Sequence, residues 1–398
     1  GWIVGSRILH TNDGGNSWVN QSPFTDWYYN DVFFIDNEYG WVVGGEFIIS
    51  TTDGGDNWEI QYDDDDEYVF HTVYFSDQEH GWALGNIVPC GPGPCPITFR
   101  TTDGGNNWEN VTPSNLPEGI INSIEVSPHD PAKAYIAVMR YKSMDLKPYV
   151  FKTGDYGKSW NKIVNGIEDE HTFVRVVRED PVRKGLLYAG TETGIYFSMD
   201  DGETWESLRM NMPAVPVVDI EVKGNDLVIA TNGRGFWIMD DITPLRVQSS
   251  AIDAKPAHLY AISDHTRFGY NWWMDYLPGG DPGDKKNYFV QNMRPGLTYY
   301  EEGFTPVNGE RKRKFIDAGD PKSLGVVIYF KLASEPTDIS LTILDENGNE
   351  IRHYSKDLMT LKANAEKDFN NGLNKFVWDM RINRVTSVPK RPATAISP

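Results

Sequence analysis

The stretch Thr51-Thr52-Asp53-Gly54-Gly55-Asp56-Asn57-Trp58 decides the fold, because the chain contains five copies of it. The shared pattern is Thr-x-Asp-Gly-Gly-x-x-Trp, which we call the box. The other four copies start at Thr11, Thr101, Thr153 and Ser198. Successive starts lie 40, 50, 52 and 45 residues apart, and Tyr156 and Asp201 replace the first glycine in the last two copies. A motif that recurs at such a period predicts a repeat architecture.

Each box belongs to a set of four short apolar segments. In the second repeat these segments are Asp31–Phe34, Gly40–Gly44, Phe47–Ser50 and Trp58–Ile60. Four short strands per 40–50 residues are typical of a β-propeller blade. A sixth repeat runs from Val217 to Asp240, but Ile242 stands where its box would have a glycine. We therefore predict an all-β propeller of six visible blades and leave a seventh open.

The residue types of the box suit a turn between the third and fourth strands of a blade. An aspartate at the third position can accept backbone N–H groups across the turn, and glycine allows a positive φ. The tryptophan is large enough to cover the gap to the neighbouring blade. We predict a structural role for the ten box residues Asp13, Trp18, Asp53, Trp58, Asp103, Trp108, Asp155, Trp160, Asp200 and Trp205.

The repeat stops after Pro244, which indicates a change of domain. Residues 246–325 are rich in Gly, Pro and Asp, and we predict an irregular linker packed on the propeller. Strand patterns return between 326 and 380, with a hairpin turn at Asp345-Glu346-Asn347-Gly348. The predicted domains are the propeller at 1–245, the linker at 246–325 and an incomplete immunoglobulin-like β-sandwich at 326–398.

The charge of the chain restricts its partners. The net charge is −20, and residues 1–240 hold 16 Lys and Arg against 37 Asp and Glu. Such a field repels phosphate backbones, so we expect no nucleic acid partner. No run of 18 apolar residues occurs, so we expect no membrane span.

The only cysteines, Cys90 and Cys95, flank four turn-forming residues. A turn of this kind can bring two Cα atoms within disulfide range, so we predict a disulfide. A disulfide indicates an oxidising compartment, and the predicted location is extracellular or on the cell surface. Asn20-Gln21-Ser22 and Asn110-Val111-Thr112 match the N-glycosylation pattern.

Binding residues are expected on the face opposite the boxes, in the loops between second and third strands and in the connectors between blades. Asp63, Asp65 and Glu67 in the acidic run are candidate Ca²⁺ ligands, but a solvated run of charges is the favoured interpretation of them. No other cofactor is expected. The aromatic run at 27–29 can stack on sugar rings or pack between blades. The candidate face comprises Trp27, Tyr28, Tyr29, Asp63, Asp64, Asp65, Asp66, Glu67, Glu168, Asp169, His171, Glu192 and Arg234.

The boxes resemble those of the Asp-box, or bacterial neuraminidase repeat (BNR), superfamily of propellers. That superfamily includes sialidases, xyloglucanases, the sortilin receptor domain and photosystem II assembly factors. Residues 1–108 resemble the assembly-factor type. Leu187–Gly194, Asn232–Asp241 and Gly372–Arg381 resemble a group of secreted bacterial and archaeal proteins that are sortilin-like or labelled glycosyl hydrolase, with an immunoglobulin-like C-terminal domain. The resemblance implies the fold and leaves the activity open, because one propeller hosts many functions.

Two functions follow from these observations. A sialidase needs three arginines for its substrate carboxylate, but the first 132 residues hold only Arg7 and Arg100, and the family's Phe-Arg-Ile-Pro motif is absent. We therefore predict a secreted, non-catalytic scaffold that presents an acidic propeller face to a protein or glycan partner, and we assign no catalytic residue. The alternative is a glycoside hydrolase that uses paired carboxylates.

Overall fold

The computed structural model describes residues 1–63, 68–87, 95–114, 116, 118–167, 171–210, 212–264, 300–304, 311–315, 325–356 and 369–380. The chain divides into two compact units, Gly1–Ile242 and Thr243–Pro398. Across the described ranges, the helices are too short or too polar to cross a membrane.

Six antiparallel sheets, which we call blades one to six, follow one another in the first unit. In each blade the strands are hydrogen-bonded in chain order. Blades one to three consist of β1 (Trp2–Val4), β2 (Ile8–His10) and β3 (Val19–Asn20); β4 (Asp31–Phe34), β5 (Gly40–Gly44), β6 (Phe47–Thr51) and β7 (Glu59–Asp63); and β8 (Tyr68–Phe75), β9 (Gly81–Ile87), β10 (Cys95–Thr101) and β11 (Glu109–Asn110). Blades four to six consist of β12 (Ile120–Val126), β13 (Ala134–Met139), β14 (Val150–Thr153) and β15 (Asn161–Lys162); β16 (Val174–Glu179), β17 (Leu187–Thr191), β18 (Gly194–Ser198) and β19 (Glu206–Ser207); and β20 (Val217–Lys223), β21 (Asp226–Thr231) and β22 (Phe236–Met239).

The first strands of neighbouring blades pack on one another, as β12 does on β16 and β16 on β20. The middle strands of blade two, β5 and β6, are buried along their whole length, whereas the last strand, β7, is largely exposed. First strands that converge and last strands that face solvent are the arrangement of a propeller. The predicted all-β propeller with six blades is therefore confirmed.

A glycine followed by tryptophan opens the second strand of blades two and three, and the structure explains the pair. A Cβ atom on Gly40 would lie 2.4 Å from the Phe34 ring, and one on Gly81 would lie 2.3 Å from the Phe75 ring. Trp41 of blade two stacks on the other face of Phe75, with ring centroids 3.5 Å apart. The glycine therefore makes room for a phenyl ring that the tryptophan of the preceding blade covers.

In blades two to five, the box turn lies at the same end of the blade as the turn between the first and second strands. In blades two and four, Gly54 donates its N–H to Glu38 O and Tyr156 donates to Ala132 O, both at 2.9 Å. Blades three and five repeat this bond. We call this side of the propeller the box face and the other side the opposite face.

The second unit holds short helices and mixed-length strands. They are α1 (Thr243–Val247), α2 (Ser250–Asp253), β23 (Ala257–Leu259), β24 (Tyr300–Phe304), β25 (Arg311–Phe315), β26 (Val326–Leu332), β27 (Leu341–Leu344), β28 (Glu350–Tyr354) and β29 (Gly372–Trp378). The strands pair as one sheet, β23-β26-β29, and as two hairpins, β24-β25 and β27-β28. The sheet and the second hairpin share a core around Phe330, Tyr354 and Phe376.

The predicted linker at 246–325 is not irregular throughout. It contains α2 and three strands, and β23 pairs with β26 of the C-terminal sheet. The sequence missed β23 because three residues are too short to display alternation. The immunoglobulin-like assignment of 326–398 stays a prediction, and residues 265–299 of the linker lie outside the described ranges.

Candidate functional site

The box turn is a closed network of hydrogen bonds, as Asp13 illustrates. The Asp13 carboxylate accepts the backbone N–H of Ser17 at 2.9 Å and the Ser17 hydroxyl at 2.6 Å. The Thr11 hydroxyl donates to Asp13 at 2.8 Å and accepts the N–H of Gly15 at 2.9 Å. The same bonds recur at the aspartates of the other four boxes, Asp53, Asp103, Asp155 and Asp200.

These hydrogen bonds keep the box aspartates charged. The side-chain amide and backbone N–H of Asn57 hold the pKa of Asp53 below its ordinary value. Ser17 lowers the pKa of Asp13 in the same way. A carboxylate that accepts several hydrogen bonds is stabilised in its ionised form. The oxygen atoms of these aspartates are therefore engaged by the turn itself.

The tryptophans of the later boxes contact the preceding blade. Trp160 Nε1 donates to Val111 O at 2.9 Å, and Trp205 Nε1 donates to Ile163 O at 3.0 Å. Trp18 belongs to the first blade of the chain and is 40% exposed. The box face is thus held together by contacts between successive blades.

The residues that replace the first glycine also contact the preceding blade. Tyr156 and Asp201 have left-handed backbones, with φ of 60° and 62°. Tyr156 stacks on His80 with ring centroids 5.2 Å apart. Asp201 accepts hydrogen bonds from the hydroxyl of Tyr135 and from Lys133 Nζ, the latter at 2.7 Å. Each side chain offsets a strained backbone with a contact between blades.

Both N-glycosylation patterns form structural turns. The Ser22 hydroxyl donates to Asn20 Oδ1 at 2.7 Å and accepts the N–H of Ile8 at 2.8 Å. Thr112 makes equivalent bonds to Asn110 and to the N–H of Thr98. In blades one and three the pattern therefore closes the turn after the last strand of the blade.

Of the three predicted binding aromatics, two belong to the core. Tyr29 is 1% exposed, and its hydroxyl donates to Phe24 O at 3.0 Å. Trp27 lies against the rings of Phe24 and Phe47, with centroid distances of 4.0 Å to both. Tyr28 is 65% exposed on the opposite face. Packing between blades, the alternative for this run, therefore applies to Trp27 and Tyr29, and only Tyr28 faces solvent.

Several predicted site residues lie outside the described ranges. Asp63 ends β7 and is exposed, but Asp64, Asp65, Asp66 and Glu67 are not described, and neither are Glu168 and Asp169. The described residues contain no group of three or more His, Cys, Asp or Glu that could hold a metal ion. Cys95 begins β10, but Cys90 is not described. The calcium site and the disulfide stay predictions.

Glu192 and Arg175 form an ion pair on the opposite face. Arg175 Nη2 donates to Glu192 Oε2 at 2.6 Å, and the guanidinium lies 4.8 Å from the Phe173 ring centroid. Tyr141 of blade four also stacks on Phe173, with ring centroids 5.7 Å apart. The sequence identified Glu192 but missed its partners, because Phe173 and Arg175 lie within an ordinary strand pattern. His171 is exposed beside this stack.

Sequence reasoning also missed two exposed methionines on the opposite face. Met144, in the loop between β13 and β14, is 90% exposed with φ of 57°. Met210, in the connector from blade five to blade six, is 75% exposed with φ of 46°. Neither methionine belongs to a recognisable sequence motif, so only the structure reveals that they are exposed.

The charge of the opposite face changes across the propeller. Exposed Asp26 and Asp63 lie on blades one and two, whereas blades four to six add cations. The exposed cations there are Lys142, Lys147, Arg209 and Arg234. Among the described residues of this face, cations therefore accompany the acidic side chains in blades four to six.

One carboxyl group on the first strands of the blades, that of Glu125, has a strongly raised pKa. Glu125 in β12 accepts the N–H of Glu179 at 3.0 Å, and its other oxygen lies 3.6 Å from Arg178 Nη1. Burial raises the pKa of Glu125 to about 7 against the opposing effects of Arg178 and of that N–H. The charges of Glu179 and Glu221 raise it further.

A family model matches residues 21–172, and its description is photosynthesis system II assembly factor YCF48. The matched region contains blades two to four. No curated protein sequence matches the chain.

Three solved structures illustrate the likeness to known folds. YCF48 bound to D1 peptide has 19% identity and a TM-score of 0.46, covering 66% of this chain and 81% of that one. A GH74 enzyme from Niastella koreensis has 13% identity and a TM-score of 0.42, covering 60% of this chain and 40% of that one. The GH74 xyloglucanase from Xanthomonas campestris has 12% identity and a TM-score of 0.45, covering 60% and 42%.

The chain thus spans less than half the length of the two GH74 structures. At these identities and TM-scores the likeness carries no argument about function. The five box turns and the order of the six blades make residues 1–242 a β-propeller, and the family match over residues 21–172 is to a BNR-repeat model.

Proposed function

We propose that this chain is a non-catalytic scaffold that binds a protein partner on the opposite face of its propeller, outside the cell or on the cell surface. The observation that carries the proposal is the exposure of Tyr141, Met144 and Met210 on that face, at 41%, 90% and 75%. All three belong to loops or connectors of blades four and five. Apolar side chains grouped on one face are typical of interaction sites.

The backbone supports this proposal. A left-handed conformation costs a non-glycine residue about 1–2 kcal/mol. Met144 and Met210 both adopt it while their side chains project into solvent. Local strain of this kind clusters at functional sites. Methionine also adapts its shape to a partner surface, which suits recognition of a protein segment.

The charges beside the methionines indicate the chemistry of the partner. Lys142 and Arg209 are exposed next to Met144 and Met210 in the chain. A segment with apolar and acidic residues would complement them. The family match of residues 21–172 to an assembly factor also favours a binding role.

The experiment compares a library of acidic, apolar peptides with a glycan array. We expect peptide binding that falls about tenfold or more in Met144→Ser and Met210→Ser, as for central interface residues. Val182→Ser is the matched control, since Val182 is 67% exposed on the box face. Binding only to glycans, or peptide binding that is indifferent to both methionines, would contradict the proposal.

The alternative, a glycoside hydrolase, is favoured by Glu125. Its pKa of about 7 suits a general acid, and the charge of Glu221 lies close enough to raise it. However, Glu125 already pairs with Arg178 and the N–H of Glu179. Turnover of a polysaccharide that disappears in Glu125→Gln would establish this alternative.

A further inference from the structure

The outer edge of blade six has no partner strand among the described residues. In blades two to five a fourth strand, β7, β11, β15 or β19, pairs with the third strand. Blade six ends at β22, which pairs only with β21 in that part of the chain. Its eroded box explains this, because Ile242 replaces the glycine and no tryptophan follows to begin a fourth strand.

The side chains of β22 are unusually exposed for an apolar strand. Phe236 is 78% exposed and Ile238 is 60% exposed. They share one side of the sheet, because Phe236 lies opposite Ala230 and Ile238 opposite Val228 in β21. Single exposed apolar residues are ordinary, but an apolar pair on an unpaired edge strand favours association with another strand.

The backbone direction of β22 follows from its pairing with β21. The N–H of Thr231 donates to Gly235 O at 3.0 Å. Because such bonds alternate along antiparallel strands, Trp237 and Met239 direct their N–H and C=O groups toward β21. Phe236 and Ile238 therefore direct their N–H and C=O groups outward, to the edge that no described strand covers.

We propose that β22 pairs antiparallel with β22 of a second copy of this chain, about a two-fold axis at Trp237. Phe236 of each copy then lies opposite Ile238 of the other, and both residues present their outward backbone groups. Each such pair exchanges two hydrogen bonds, which gives about four across the axis. The two blades form one continuous six-stranded sheet.

The charges flanking β22 favour this register over the registers that are shifted by two residues. With the axis at Trp237, continuing the pairing past both ends of β22 brings the loop residue Arg234 of one copy level with Asp240 of the other. A slide of two residues in either direction places Asp240 opposite Phe236 or Arg234 opposite Ile238. Each of these charged residues already interacts within its own chain, and the pairing adds a second partner.

The same charges explain why the strand that pairs with β22 comes from a second copy of this chain. A cation before the apolar pair and an anion after it are self-complementary when the strand meets itself antiparallel. An interface of this kind is isologous, so one surface satisfies both subunits. Opposite charges directly across two strands stabilise their pairing, and like charges destabilise it.

The test measures mass and register together in the 398-residue chain. Sedimentation should give a dimer of twice 45.1 kDa that dissociates on dilution. Arg234→Asp and Asp240→Arg, each alone, should weaken dimerisation about tenfold, because each converts two attractive pairs into repulsive ones. The double variant Arg234→Asp with Asp240→Arg should restore it.

Two further variants keep the test independent of folding defects. Arg209→Asp makes the same charge change away from the edge and should leave the dimer unchanged. Ile238→Pro removes only an outward N–H and should give a folded monomer with an unchanged melting temperature. A chain that is monomeric at its highest soluble concentration overturns the proposal. So does a double variant that fails to restore the dimer, or protection of the Phe236 and Ile238 amides in the monomer.

Discussion

At the scale of single residues, the box keeps its backbone while its side chains change role. Asp201 occupies a position where three of the other four boxes have glycine, and its φ is 62°. Its carboxylate receives the Tyr135 hydroxyl and Lys133, and Lys152 Nζ donates to its backbone oxygen at 2.8 Å. Contacts to blade four therefore outweigh the cost of the left-handed conformation.

Replacing Asp201 with glycine tests that balance. Asp201→Gly relieves backbone strain of about 1 kcal/mol but removes the carboxylate that accepts from the buried Tyr135 hydroxyl and from Lys133, at a cost of about 1–3 kcal/mol. We expect a net destabilisation of about 1–2 kcal/mol in urea unfolding. Met210→Gly is the control, because its left-handed side chain is exposed, and we expect it to be neutral or stabilising. A more stable Asp201→Gly would show that the contacts contribute little.

Glu125 makes stability depend on pH near neutrality. Its pKa in the folded chain is about 7, above the 4.5 of a free glutamate. This group therefore contributes stability that is fully present below about pH 4.5 and is lost as the pH rises through about 7.

Glu125→Gln should remove this dependence, because glutamine resembles the protonated acid. Relative to wild type, the variant should gain stability between pH 5 and pH 8, by up to about 3 kcal/mol. Melting curves across that range provide the measurement. Glu221→Gln removes a neighbouring exposed charge and serves as the comparison. A variant that loses stability as the pH rises would show that the Arg178 pair dominates.

At the scale of elements, one glycine in the second strand determines how two blades pack. Gly81 pairs with Phe75 across β8 and β9, and the Phe75 ring lies where a Cβ atom would be. Trp41 of blade two covers that ring. The packing of blades two and three is thus specified by Phe75 and Gly81, which pair within one hairpin, and by Trp41 of the preceding blade.

Gly81→Ala should displace the Phe75 ring and weaken the contact between blades two and three. Overpacking of a well-packed core typically costs about 1–3 kcal/mol. Denaturant unfolding followed by tryptophan fluorescence measures the loss. Gly5→Ala is the control, since no atom lies within 4 Å of its added Cβ. Equal stability of the two variants would refute the steric explanation of the Gly-Trp pair.

At the scale of the whole molecule, the charge is concentrated in the propeller. Residues 1–240 hold 16 Lys and Arg against 37 Asp and Glu, and the full chain has a net charge of −20. Like charges at that density repel one another, and salt screens them over about 8–10 Å.

Raising the salt concentration should therefore raise the melting temperature of the propeller. Sodium chloride and potassium chloride at the same ionic strength should raise the melting temperature equally, because screening depends on ionic strength. Calorimetry at constant pH measures the effect. A melting temperature that falls with salt would show that the ion pairs between blades, such as Lys133 with Asp201, dominate instead.

The sequence by itself determined the propeller, because each box encodes its turn with local hydrogen bonds and recurs at the period of a blade. It also determined that the boxes are structural. Tertiary structure decided the rest, because contacts between blades join residues that no spacing relates. It placed Trp27 and Tyr29 in the core, held Met144 and Met210 in solvent and joined Glu192 to Arg175. It also showed that no described strand pairs with the outer edge of β22, which is visible only when the sheet is assembled.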